Sequence, residues 1–175
     1  KGDSIFKKEQ LPGLFIGILD NGKRTYYDFG FANAETKLRF DKNTIFEIGS
    51  ITKTFTAFLL TSVLREKGIS DSSSILPYLP DSVQENKALE KISFLSLMNH
   101  TSGLPRLPDN MVVEGSMTPY DLYTAKDLFH YLRTAQPAVP GRYAYSNLGA
   151  GLAGVLAASI SGQSYAALLD KYIFL

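Results

Sequence analysis

The sequence predicts an α+β fold, an antiparallel hairpin at the front followed by a mostly helical region, on three observations. LFIGILDNGKRTYYDFGFA at residues 14–32 sets β-prone runs on either side of Asp20-Asn21-Gly22, and Asn-Gly suits a type I′ turn because both central positions need positive φ. Ile51, Phe55, Phe58, Leu59 and Val63 recur at the spacing of an apolar helical face, with Gly68 where that helix would stop. Beyond it, Ser or Thr repeatedly precedes an apolar run that ends in Gly or Pro, the punctuation of several further helices.

Taken in order, the chain opens on a polar stretch, KGDSIFKKEQ, without the apolar core of a secretory signal. The hairpin follows, then a helix over about 51–67. Residues 70–85, rich in Pro and Ser, read as a loop with at most short turns. Ser93 caps a short helix, FLSLMN, stopped by the Gly and Pro of HTSGLP at 100–105. A long loop runs to about Tyr123. Thr124 with Asp127 forms a capping box for a helix through Leu128, Phe129 and Leu132, closed by Pro137 and Pro140. PGRYAYSN leads into a helix over about 148–161, with Gly162 at its end and glycines at 149, 151 and 154 that imply close packing by another element. It is too short to span a bilayer and reads as a buried helix. Ser164 caps a last amphipathic segment. One hairpin is a marginal sheet alone, and with the apolar end at Leu175 this creates the expectation of an N-terminal part of a larger protein.

Composition narrows the chemistry. At 175 residues, 45% hydrophobic and 20% charged, the chain has the make-up of one globular domain with a real core. A net charge of +1 without a basic stripe gives no nucleic-acid footprint. The lack of cysteine removes disulfides, thiolate catalysis and cysteine-ligated zinc. His100 and His130 do not stand at metal-ligand spacing, and no P-loop or GxGxxG is present, so neither a metal nor a cofactor is expected.

What remains is a serine chemistry. Ser50 and Lys53 are three residues apart at a helix start, which puts them on one face. That is a nucleophile beside a possible base, although a capping serine followed by a surface lysine has the same pattern. Ser4-Ile5-Phe6-Lys7 repeats the spacing in a polar stretch and reads as a chance match. Tyr145-Ser146-Asn147 precedes a helix. Its tyrosine is a possible base if a cation favours the phenolate, its asparagine can offer an amide to a substrate carbonyl or to Lys53, and the tripeptide reads equally as a turn and cap. No GxSxG elbow supports a Ser-His-Asp hydrolase, and His100 reads as a buried structural hydrogen-bonding group.

FEIGSITKTFTA, LMNHTSGLP and PGRYAYSNLGAGLAGVLAASISGQSY, in that order, resemble the serine β-lactamase and penicillin-binding-protein-like superfamily, in its class C β-lactamase/D,D-peptidase/esterase branch, over nearly the whole chain. The resemblance implies an antiparallel sheet flanked by helices, with residues 1–49 holding the first strands and 50–175 the helical region, in a domain that is incomplete here. It implies Ser50 as the acylated nucleophile, Lys53 as its proton partner, Tyr145 as general base or acid, Asn147 as a substrate and lysine contact, and His100 to Gly103 as a supporting turn. The family's third motif, Lys or His followed by Thr/Ser-Gly on a strand, does not follow Tyr145-Ser146-Asn147, since HTSG at 100–103 lies earlier and in a turn. A missing C-terminal segment would therefore complete the site, and this stretch alone should be nearly inert. The expected substrate is a β-lactam, a D-Ala-containing peptide or an ester, in a periplasmic, envelope or secreted setting. An esterase or D-amino-acid amidase on the same scaffold, or a non-catalytic penicillin-binding-like sensor, are the alternatives.

Overall fold

The computed structural model describes residues 1–112 and 120–174. It forms two compact units, Lys1–Ile48 and Gly49–Leu175. In the first, the Asn-Gly reading holds. Strands β1 (Gly13–Asp20) and β2 (Lys23–Gly30) pair antiparallel from Asp20↔Lys23 to Gly13↔Gly30, and the turn residues Asn21 and Gly22 take φ of 45° and 79°. The aromatic side chains set the packing here: the ring of Phe15 lies 5.6 Å from Tyr26, 5.6 Å from Phe40 and 5.5 Å from Phe46. Before the hairpin, Gly2–Lys8 forms α1, which the polar composition did not predict. Lys7 there pairs with Asp3 at 2.9 Å, one turn away on the exposed face, and Phe6 stacks on Phe29. The second Ser-x-x-Lys thus lies on a solvated helix of the hairpin unit.

The second unit holds the aliphatic core. A 3-10 turn, Gly49–Ile51, leads into α2 (Thr52–Glu66), and the short α3 (Asp81–Gln84) and α4 (Phe94–Met98) follow. Helices α5 (Ala125–Leu132), α6 (Asn147–Ser161) and α7 (Tyr165–Tyr172) complete it. The anticipated caps are present. Ser93 with Ser96 and Thr124 with Asp127 form reciprocal capping boxes, and Ser164 accepts from the Ala167 N–H. Helix α6 is the hub, packed by α2, α4, α5 and α7. Leu148, Leu152, Ala153, Leu156 and Ala157 are buried on it, and each leucine removed from water contributes about 1.5–3 kcal/mol.

Three expectations are corrected. The buried face of α2 is Thr56, Leu59, Leu60, Val63 and Leu64, whereas Ile51 and Phe58 are 60% and 53% exposed. Two apolar stripes share this helix, and α6 covers only one of them. Residues 70–85 hold only short turns, as expected, but their apolar side chains are not left at the surface. Ser74 bridges to Ser93, 3-10 and α-helical turns follow, and Ile75, Leu76, Leu79 and Val83 are buried in the core. The α6 glycines divide: a Cβ at Gly154 would press on the Tyr165 ring and the Thr56 methyl, and one at Gly149 on the Ser146 hydroxyl, but none of the described residues crowds Gly151. Residues 113–119 of the long loop and Leu175 lie outside the described residues.

Candidate functional site

The core arrangement brings three element ends together: the 3-10 entry to α2, the turn after α4 and the entry to α6. Ser50 Oγ lies 2.7 Å from Tyr145 Oη, and Lys53 Nζ donates to the same Oγ at 3.1 Å. No side chain caps the start of α2, so the serine hydroxyl is spent on the lysine and the tyrosine rather than on the helix. The serine oxygen accepts from Lys53 and shares one further hydrogen with the phenol, and it is the donor in that bond whenever Tyr145 is the phenolate. Ser50 is exposed and Tyr145 half-buried.

Tyr145 stands in a cationic setting. Lys53 Nζ is 5.0 Å from its ring centroid and the Arg106 guanidinium 5.2 Å. The Lys53 amine first, and the Ser50 hydroxyl second, hold the phenol below its ordinary range, with the charges of Lys53 and Arg106 adding to the effect against some desolvation. Favouring the phenolate suits it to take a proton from Ser50.

The ring of His100 lies 4.6 Å from that of Tyr145 and 5.9 Å from that of Tyr143. Its Nδ1 accepts the Ser146 N–H at 3.2 Å, so the neutral ring carries its proton on Nε2. Burial first, then the charge of Lys53, pushes the imidazole below the usual histidine value. His100 is half-buried rather than buried, and no described contact joins it to Ser50. The HTSG turn is held against 138–144 by three backbone bonds: Ala138 N–H to Gly103 C=O, Gly141 N–H to Thr101 C=O and Ala144 N–H to His100 C=O, at 2.8–2.9 Å. Gly103 has φ of 77°, and a Cβ there would run into the Ala138 carbonyl. Glycine is therefore required both for conformation and for space.

Asn147 is the first residue of α6, and its Nδ2 donates to the Tyr120 phenol oxygen at 3.0 Å. Among the described residues its amide does not reach Lys53, so the two-way expectation narrows to an amide beside the site. Ser146 is fully buried. Its hydroxyl donates to the Pro105 carbonyl at 2.7 Å and accepts the Gly149 N–H at 2.8 Å, fixing the entry of α6 and with it the preceding tyrosine. Sequence reasoning did not single out Arg106 or Tyr120. Both are loop residues without periodicity, and only the return of 105–106 against the start of α6 gives Arg106 its place.

Comparison with known proteins shows the family. Residues 3–175 match the beta-lactamase family profile. A beta-lactamase of Providencia stuartii is 32% identical over 95% of this chain and 41% of its own length, and one of Pseudomonas fluorescens is 32% identical over 98% and 45%. The class C beta lactamase structure from Rhodobacter sphaeroides superposes with a TM-score of 0.76 at 29% identity, over 98% of this chain and 46% of that one. The beta-lactamase/D-alanine carboxypeptidase from Pseudomonas syringae gives 0.77 at 29% identity and the same coverage. The chain spans less than half the length of these relatives.

Proposed function

The chain belongs to the beta-lactamase family, and on that premise we propose that Ser50 is the nucleophile of a two-step acyl transfer on an amide, β-lactam or ester carbonyl. The observation that carries the reading is the unbroken path from Lys53 Nζ to Ser50 Oγ to Tyr145 Oη, at 3.1 and 2.7 Å. As Oγ bonds to the carbonyl carbon, the serine O–H breaks and its proton passes to the tyrosine oxygen. The carbonyl electron pair moves onto oxygen, and collapse of that oxyanion expels the leaving group, which takes the proton back from Tyr145. Water then repeats the sequence on the acyl-serine and releases an acid. Tyr145 is the preferred base because its cationic neighbours favour the phenolate. Lys53 holds the serine oxygen beside it by donating to Oγ, and the Asn147 amide takes the substrate contact.

The substrate follows from the family: a β-lactam, or a peptide ending in D-alanine, a pairing that the name of the Pseudomonas syringae neighbour also carries. An envelope or exported setting belongs to this proposal. In the complete protein a segment beyond the described helices supplies the second oxyanion donor, and the lack of one such donor costs about 10²–10³ in rate.

Intact-protein mass spectrometry after incubation with a penicillin and with a fluorophosphonate tests the reading, on this chain and on the product of its whole gene. A single adduct at Ser50, lost in Ser50→Ala, is expected for the whole product; labelling that survives the substitution removes Ser50 as nucleophile. Turnover of nitrocefin, p-nitrophenyl esters and D-Ala-D-Ala peptides then separates lactamase, esterase and peptidase chemistry. A stable adduct without turnover is the signature of a sensor.

A further inference from the structure

Arg106 is placed with unusual economy. Its backbone carbonyl accepts the Asn147 N–H at 3.0 Å and the Leu148 N–H at 3.3 Å, and the carbonyl of Pro105 before it accepts the Ser146 hydroxyl at 2.7 Å. Three bonds thus strap 105–106 to the entry of α6, immediately after Tyr145. The side chain is left free of that duty, is exposed, and finds no carboxylate within ion-pair distance among the described residues. It lies instead over the Tyr145 ring, 5.2 Å from the centroid. A cation in that position has a favourable interaction with an aromatic face and a stronger one with a ring that carries negative charge.

We propose that Arg106 is a positioning residue for Tyr145, a second cation beside Lys53 that orients the ring and favours the anionic form of the phenol oxygen for proton transfer from Ser50. The proposal rests on the acyl-serine reading for its use, but its physical content belongs to the free protein. Among the described residues, the groups facing the phenol are Lys53 from α2, Ser50 from the 3-10 turn, the neutral His100 from the turn after α4, with Tyr143 behind it, and Arg106 from the strapped loop. Lys53 and Arg106 are the cations among them. Lys53 also donates to Ser50, so it has two tasks at the site, whereas the side chain of Arg106 has one. In the transfer, the Ser50 O–H breaks, a Tyr145 O–H forms, and the negative charge leaves the ring for the developing oxyanion. A group that favours the phenolate before attack raises the population of competent enzyme at neutral pH.

The test is an NMR titration of protein carrying tyrosine labelled with carbon-13 at Cζ, with the Tyr145 signal assigned by its loss in Tyr145→Phe. It compares the wild type with Arg106→Gln, Arg106→Lys and, as the reference for a lost cation, Lys53→Met. The expected result is an upward shift of the Tyr145 midpoint in Arg106→Gln, smaller than that in Lys53→Met, with Arg106→Lys returning toward the wild type. Because the strap uses backbone atoms, the folded state survives these exchanges, and Arg106→Met serves as a second neutral variant. A midpoint in both neutral variants equal to the wild type's, or one raised as much in Arg106→Lys as in Arg106→Gln, overturns the proposal, since neither leaves a role for the charge. Adduct formation at Ser50 is read separately by mass spectrometry. On the product of the whole gene, a missing adduct with the midpoint shifts intact defeats the acyl-serine reading and not this one, and an adduct with unshifted midpoints does the reverse. If both hold, the acid limb of the labelling rate moves to higher pH in Arg106→Gln and back in Arg106→Lys.

Discussion

Residues 1–48 and 49–174 are ordered by different means. The hairpin unit has no fully buried residue and relies on a backbone ladder and on rings packed side by side, Phe15 at their centre. The helical unit buries an almost wholly aliphatic core around α6. All of the candidate chemistry lies in the second. Proton transfer requires donor and acceptor to hold their positions within tenths of an ångström, and buried, interlocking side chains provide that where a solvated ladder does not. The contrast teaches that the site is a property of the core, placed at the ends of the helices that the core fixes.

Truncation in each region is the most direct way to break this comparison. Leu152→Ala or Leu156→Ala, at sites fully removed from water, should each cost about 2–5 kcal/mol in urea unfolding. Phe15→Ala, at a half-buried ring, should cost about 1 kcal/mol, the scale of an aromatic pair. Equal losses would show that the hairpin is held by burial after all.

A second pair sharpens it. Gly22 and Gly103 share a left-handed backbone, at φ of 79° and 77°, but a Cβ at Gly22 meets open space and one at Gly103 meets the Ala138 carbonyl. Gly22→Ala should cost about 1 kcal/mol in thermal unfolding, from conformation alone. Gly103→Ala should cost about 1–3 kcal/mol and also slow labelling of Ser50, because the turn it distorts carries His100. A smaller expected effect comes from the helix caps: Thr124→Ala and Ser164→Ala should each lose about 1 kcal/mol, without altering hydrogen exchange in the hairpin.

The smallest is a pH dependence confined to the helical unit, which holds both histidines. Burial and Lys53 keep folded His100 below the ordinary histidine value, so as pH falls through about 6.5 the unfolded chain takes up a proton before the folded one does. Stability contributed by the neutral ring is present above that pH and is lost as pH drops toward the folded value. Protection of the α6 amides, taken against the intrinsic exchange rate at each pH, should therefore fall in mild acid while that of β1 and β2 does not. His100→Asn, which tolerates the φ of 62° at that position, should flatten the response.

Much of this was legible in the residues. The Asn-Gly hairpin, the caps at Ser93, Thr124 and Ser164, and the Gly162 terminator are local, decided within a few residues by φ and by hydrogen bonds to helix ends, so short-range patterns are enough to find them. Local patterns failed where two answers had the same local signature. The two stripes of α2 are both apolar, and only the position of α6 selects the one that is covered. The 70–85 segment carries loop punctuation, yet its leucines and Ile75 are drawn into the core. Helix α1 is polar on most of its surface and offers no periodic signal beyond Ile5 and Phe6.

The site divides along the same line. Sequence by itself determined which groups are available: a serine and a lysine one turn apart at the head of a helix, a tyrosine and an asparagine at the head of another, and a histidine-glycine turn, in an order that resembles one superfamily. Tertiary structure alone decided that Ser50 and Tyr145, 95 residues apart, meet at 2.7 Å, that Asn147 turns to Tyr120, and that Arg106 lies over the phenol. The physical reason is range. Helix starts and turns follow from neighbours within about four residues, whereas a charge acting on a ring depends on how α2, α4 and α6 pack, and that is settled by the fit of the whole core.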